Sequence, residues 1–292
     1  MDPRYPHAAR GIGLMLLAVS TFACLDSTSK YLGQHYPAPA VVWLRSVLQT
    51  LVMMAVFVPR MGPGLVRTSS LGLQALRGVL LTASSVIFVV ALGYMQIAVV
   101  TSIVFLSPII VALAAGPLLG ERVAPRTWFA LAGGFTGALL IVRPGGAAFG
   151  WYVILPLTCA FIVAGYQILT RKLAGHDHPI TTLFFPSLLG CLLIPAAFPG
   201  SFFVLPTELP HAAAFIAIGV LASVGHFLLI RAHAHAPATI LAPFNYVQIL
   251  IVLVIGWVIF GQLPDGIALT GIALIVASGL GLILASRRPS AS

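Results

Sequence analysis

Ten apolar stretches, each long enough to cross a hydrocarbon core and separated by gaps too short for a folded unit, constrain this chain more than any other feature. A spanning helix needs about 20 mostly apolar residues. Such stretches run at 10–32, 38–59, 72–93, 97–119, 126–143, 148–170, 179–199, 209–232, 237–260 and 265–286. In lipid every backbone N–H and C=O must be satisfied internally, so each stretch is expected to be a helix. The breaks carry turn chemistry, as in Arg60-Met61-Gly62-Pro63-Gly64, Arg143-Pro144-Gly145-Gly146 and Phe198-Pro199-Gly200, where proline and glycine end helices. The expected fold class is an all-α polytopic membrane protein of ten transmembrane helices. Charge content agrees: 7% of the 292 residues are charged, against about 25% in a soluble domain. Arg4 and Arg10 followed by Gly11 to Leu25 have the outline of a signal peptide. No A-x-A site closes that run, so a retained first helix is expected.

The basic residues fall in the gaps, which argues against a nucleic-acid surface despite a net charge of +9 and a pI near 10.1. Cytoplasmic loops are enriched in Lys and Arg. With the N-terminus inside, one face holds Arg4, Arg10, Arg60, Arg67, Arg77, Arg122, Arg126, Arg171, Lys172, Arg231, Arg287 and Arg288. The other holds only Lys30, Arg45 and Arg143. Both termini are therefore expected in the cytoplasm, with the chain in a cell inner (plasma) membrane. Cys24, Cys159 and Cys191 lie inside apolar runs and are expected to be free thiols.

At an offset of 141 residues the chain resembles itself: Gly78-Val79-Leu80 meets Gly219-Val220-Leu221, Gly120-Glu121 meets Gly261-Gln262, and Lys30 meets Arg171. A duplication follows, with a first repeat over 1–146 and a second over 147–292. Five helices per half is an odd number, so the second half enters from the opposite face and the repeats are inverted. Inverted repeats recur in secondary transporters because two pseudo-equivalent halves give two pseudo-equivalent states, open to either side.

Ser107-Pro108, then Leu119-Gly120-Glu121-Arg122 and the glycines Gly133, Gly134 and Gly137, resemble the repeat unit of EamA-type members of the drug/metabolite transporter superfamily. Ala242-Pro243-Phe244-Asn245-Tyr246, Phe260-Gly261-Gln262-Leu263-Pro264-Asp265 and Gly271 resemble its second copy. Gln262 departs from the pattern, standing where the second repeat often has Glu. The resemblance implies ten helices, both termini inside, and export of small metabolites such as amino acids, drugs or cell-wall precursors. Within the family the chain is most similar to the bacterial amino-acid exporters, the aromatic ones included.

Polar side chains at membrane depth usually face protein or a water-filled cavity, which makes them the candidate substrate-binding residues. Arg45 lies about seven residues into the second helix, roughly 10 Å deep at 1.5 Å per residue. Its guanidinium can take a carboxylate as a bidentate donor, or serve a structural pair or snorkel. Asp26 and Lys30 are spaced i, i+4 and are expected to pair on the first helix. Asn245, Tyr246 and Gln248 follow Pro243 in the ninth helix, and Ser102, Ser107 and Pro108 occupy the fourth, its equivalent in the other half. A membrane proline frees a carbonyl that neighbours, water or substrate must satisfy, so a site between these helices is expected. Bonding across helices is the structural alternative for each of these residues. Ser85 and His226 are equivalent at the same offset, and a membrane histidine either packs or carries protons. His176-Asp177-His178 and His233-Ala234-His235 would bind metal only if their loops met, so no metal site is expected. Gly133/Gly137 and Ala277/Gly281 fit close helix packing.

No HExxH or GxSxG motif occurs, and none of the six acidic residues neighbours another in sequence. A membrane enzyme is therefore not expected. There is no channel filter segment and no G-x-x-x-x-G-K-[ST] loop for ATP. The expectation is a transporter that exports small metabolites, amino acids first, by alternating access, with no cofactor. Its partners are a small solute and the bilayer, with facilitated diffusion and proton coupling both open. The alternative is an exporter or flippase of drugs or lipid-linked precursors.

Overall fold

A computed structural model of the chain describes residues 8–119, 125–142, 150–173, 176–236, 241 and 244–286. Arg143-Pro144-Gly145-Gly146, Pro243, and the Gly120-Glu121 half of one repeat match lie outside them. The described residues form eleven α-helices: α1 Ala8–Gly33, α2 Ala38–Met61, α3 Leu71–Tyr94, α4 Ile97–Val104, α5 Ser107–Leu119, α6 Pro125–Val142, α7 Ile154–Leu173, α8 Pro179–Ala197, α9 Leu209–His235, α10 Val247–Phe260 and α11 Gly266–Ser286. Six helical stretches are long and apolar enough to cross a membrane, and four shorter apolar ones, Ile97–Val111, Ala132–Ile141, Val247–Phe260 and Gly266–Gly281, complete ten. The chain is an all-α polytopic membrane protein.

The fourth expected span is one helix in sequence but two in space. Phe105 and Leu106 form a turn between α4 and α5. Pro108 has no N–H to return to the Val104 carbonyl, so the ladder is interrupted there and α5 starts afresh at Ser107.

Packing follows an exchange of the two halves. α1 lies on α9 as α7 lies on α3, and α2 lies on α9 as α8 lies on α3. Likewise α1 contacts α10 as α7 contacts α4 and α5, while α2–α8, α4–α10 and α6–α11 are pairs that map onto themselves. A side-chain detail repeats the exchange. A Cβ on Gly78 would sit 2.2 Å from Leu189, and one on Gly219 would sit 2.3 Å from Leu48. Gly78 to Gly219 and Leu48 to Leu189 are both steps of 141 residues, so the same close helix crossing is built twice.

The α6–α11 pair crosses through mutual glycine contact. A Cβ on Gly137 would stand 2.6 Å from the Gly271 carbonyl oxygen, and one on Gly271 would stand 2.5 Å from that of Gly137. Small residues let membrane helices approach to backbone contact, where dispersion replaces the missing hydrophobic drive. Gly133 joins this seam against Ser278, whereas Gly281, expected with Ala277 to mark a close helix contact, has open space around it.

Candidate functional site

Helices α1, α2, α3, α4, α7 and α10 line a cavity of about 200 Å³ whose polar lining is Asp26, Arg45, Ser84, Ser85, Thr101 and Gln248. Phe88, Phe105 and Val104 supply apolar wall. A second cavity of about 100 Å³ adjoins it, lined by Arg45, Ser46, Gln49, Thr82, Tyr166 and His226 among others. Arg45 and Ser85 line both, so the two meet at these side chains.

The lining is electrostatically divided. Asp26 accepts a hydrogen bond from Gln248 Nε2 at 2.9 Å and lies within electrostatic range of Arg45. Among the described residues no hydrogen-bond or ion-pair partner of Arg45 is found, so its fork of N–H donors faces the cavity. Thr101 and Thr82 have buried hydroxyl oxygens with no hydrogen-bond partner among the described residues, and each lines a cavity. Buried polar groups are ordinarily satisfied. Arg45 and Thr101 in the larger cavity, and Arg45 and Thr82 in the smaller, leave hydrogen-bonding groups without a partner among the described residues, which suits the two adjoining spaces to a polar, charge-bearing solute.

The expected ion pair of Asp26 with Lys30 does not form. Lys30 Nζ instead donates to the Leu92 and Met95 carbonyl oxygens, both at 2.8 Å, and sits 5.6 Å from the Phe260 ring centroid. Those carbonyls end α3, where a cation meets the negative end of the helix dipole and unsatisfied acceptors together. Two such acceptors outweigh one local i, i+4 carboxylate.

Of the sequence candidates, Arg45, Ser85 and Gln248 share the larger cavity, and Arg45, Ser85 and His226 share the smaller. The Ser85 hydroxyl bonds back to the Leu81 carbonyl at 2.7 Å, and His226 Nδ1 lies 2.7 Å from the Ala222 carbonyl. Ser102, Ser107, Asn245 and Tyr246 line neither cavity. Ser102 donates to the Ala98 carbonyl at 2.6 Å and Ser107 accepts from Gln167 at 3.4 Å. Tyr246 is buried against Phe105, ring centroids 5.4 Å apart.

A second polar cluster went unread in the sequence, because Arg77 counted there only as one basic residue of the N-terminal face. Arg77 is 1% exposed. Its Nε donates to Thr170 at 2.7 Å, its guanidinium to Tyr166 at 2.7 Å and to Gln74 at 3.3 Å, and it also donates to the Thr182 carbonyl. Gln74 continues the network to Asp177 at 2.8 Å. Asp177 also accepts from Thr68 and from the Ser69 N–H and hydroxyl. Slight burial pushes the Asp177 carboxyl up, but these donors together hold it well below the usual carboxylate range. Among the described residues no three of His, Cys, Asp and Glu are grouped to hold a metal ion.

The family model of the EamA-like transporter family matches this sequence twice, over residues 9–143 and 150–284. The chain is 30% identical over 281 residues to a riboflavin transporter of Rhizobium johnstonii, covering 94% of this chain and 91% of that protein. It is 29% identical over 273 residues to the pseudopaline exporter CntI of Pseudomonas aeruginosa, with 93% and 95% covered. An S-adenosylmethionine uptake transporter of Rickettsia bellii is 27% identical over 279 residues, with 95% and 94% covered. A solved crystal structure superimposes with a TM-score of 0.63 at 19% identity, covering 96% of this chain and 98% of that one, a likeness of fold.

Proposed function

The chain belongs to the EamA-like transporter family, and from that premise we propose that it carries a small zwitterionic metabolite, an amino acid first, by alternating access between residues 1–146 and 147–292. That it is a transporter of small molecules and not an enzyme follows from the family. The observation that supports the substrate class is the cavity's division of charge. The unengaged Arg45 guanidinium offers a carboxylate a forked donor, and the Asp26 carboxylate, already held by Gln248, offers an ammonium group an acceptor. A cavity of about 200 Å³ suits a solute smaller than the occupants of pockets of roughly 300–1,000 Å³.

Proposed substrate contacts are Arg45, Gln248, Ser85 and His226, with Asp26 and Thr101 added from the geometry. Asn245, Tyr246, Ser102 and Ser107 act by packing the helices that carry them. The proposed setting is an inner membrane with both termini cytoplasmic, supported by the bias of Lys and Arg toward one face. Export is the proposed direction, and the pseudopaline exporter is the relative that supports it.

A second reading rests on the adjoining cavities. Arg45 and Ser85 line both, so a solute larger than an amino acid can occupy the two together. The relatives named for riboflavin and S-adenosylmethionine favour it.

Reconstitution separates the two. Labelled Phe, Met and Thr are offered to proteoliposomes with and without a pH gradient, and riboflavin and S-adenosylmethionine are offered in parallel. Saturable uptake of an amino acid supports the first reading, and persistence without the gradient identifies a facilitator. Movement of only the larger compounds replaces it with the second, and movement of none sinks both.

A further inference from the structure

Among the described residues two buried cations lie outside the adjoining cavities, each one helical turn beyond their lining, at opposite ends. Leu81, Tyr166 and Pro186 line the smaller cavity. Four residues along, toward the start of α3, the end of α7 and the start of α8, come Arg77, Thr170 and Thr182, which are joined by hydrogen bonds. At the other end, Asp26 and Phe88 line the larger cavity. Four residues further on come Lys30 and Leu92, joined at 2.8 Å. Both clusters hold α3, fifteen residues apart, which is about 22 Å at 1.5 Å per residue.

Resting on the alternating-access reading above, we propose that Arg77 and Lys30 are the two gate residues of the transport cycle, each closing one end of the cavity, with α3 as the rod whose rocking loosens one as it tightens the other. Among the described residues every acceptor of both cations is neutral: hydroxyls of Tyr166 and Thr170, the Gln74 amide oxygen and the carbonyls of Thr182, Leu92 and Met95. A buried cation without a carboxylate partner keeps much of its desolvation cost. Opening to water returns that hydration, so these contacts close the path without locking it. Lys30 also has Asp26 one turn back on its own helix. On opening, that carboxylate becomes its i, i+4 partner, drawing Asp26 from Gln248 and coupling the gate to the site.

Cys159 reports on this directly, being 2% exposed and lining the larger cavity. In the full chain carrying Cys24→Ala and Cys191→Ala, Cys159 is labelled with a membrane-impermeant, charged methanethiosulfonate in vesicles of either orientation. Arg77→Ala is expected to raise the labelling rate about tenfold from the face where α3 begins and to leave the other face unchanged or slower. Lys30→Ala is expected to do the reverse. Thr170→Val removes one acceptor of Arg77, so if Arg77→Ala fails to fold, that variant is expected to move labelling about threefold in the same direction. Equal increases from both faces mean general loosening and overturn the proposal, as does no change. Labelling of the parent chain from one face only, with and without solute, overturns alternating access itself and the gates with it.

Discussion

Replacing Arg45 with alanine separates binding from folding in a way few membrane substitutions do. Among the described residues the guanidinium has no hydrogen-bond partner, so its removal breaks no bond that holds the helices together. An arginine near a helix centre costs about 2.5–3.5 kcal/mol on insertion scales, and the variant escapes that cost. The attraction between Arg45 and Asp26 is lost as well and opposes that gain, so thermal unfolding in detergent is expected to shift little. Transport is expected to change far more. A hydrogen bond to a charged group contributes about 1.5–3 kcal/mol, and about 1.4 kcal/mol is tenfold. Loss of the fork should then raise KM for a carboxylate-bearing substrate by about tenfold to about a hundredfold in proteoliposome uptake. Arg45→Lys keeps the charge without the planar fork and should fall between. An unchanged KM, or a loss of transport accompanied by a clear fall in Tm, refutes the assignment of Arg45 to the solute.

Thr101→Val, which removes a buried hydroxyl with no partner among the described residues, should leave Tm level or higher while weakening uptake by about threefold to tenfold, the range of a neutral hydrogen bond of about 0.5–1.5 kcal/mol. Gly137→Val should prevent stable insertion, since its Cβ would meet the Gly271 carbonyl at 2.6 Å, whereas Gly281→Ala, in open space, should be silent; yield of monodisperse protein in detergent compares them. The Asp177 carboxyl is held below its usual range, so its contribution is present above the unfolded value of about 3.9 and is lost only as pH falls below it. Asp177→Asn should accordingly lower Tm by the same amount throughout pH 5 to 8, and a penalty that grew or vanished inside that window would contradict the assignment.

Much of this architecture was legible before any coordinates. Apolar length located most spans to within a few residues because the bilayer fixes the length a helix needs, although the expected start of the ninth at 237 lies outside the described residues. The break between α4 and α5 was missed, because Pro108 reads in sequence as freeing a carbonyl within one continuous span and not as dividing it. Arg45, Ser85, His226 and Gln248 stood out because depth alone makes a polar side chain conspicuous, and each lines one or both of the two cavities. The remaining failures have a common cause. Asp26 and Lys30 obey a real local rule, but Gln248 lies 222 residues from Asp26 and the α3 carbonyls lie 62 and 65 residues from Lys30, and helical periodicity carries no information about which helix stands opposite. Arg77 was misjudged for the same reason. Near the start of a span it counted as an interfacial charge, and only the placement of Tyr166, Thr170 and Thr182 around it shows that it is buried.

The glycine seam between α6 and α11 restricts how this chain can change over generations. Each glycine is blocked by the carbonyl of the other, and a carbonyl belongs to the backbone, so no exchange of side chain at one position makes room at its neighbour. Ordinary core contacts drift by paired substitution, a larger residue here answered by a smaller one there. Gly137 and Gly271 have no such route, and the crossing they share is closed to stepwise mutation from both directions.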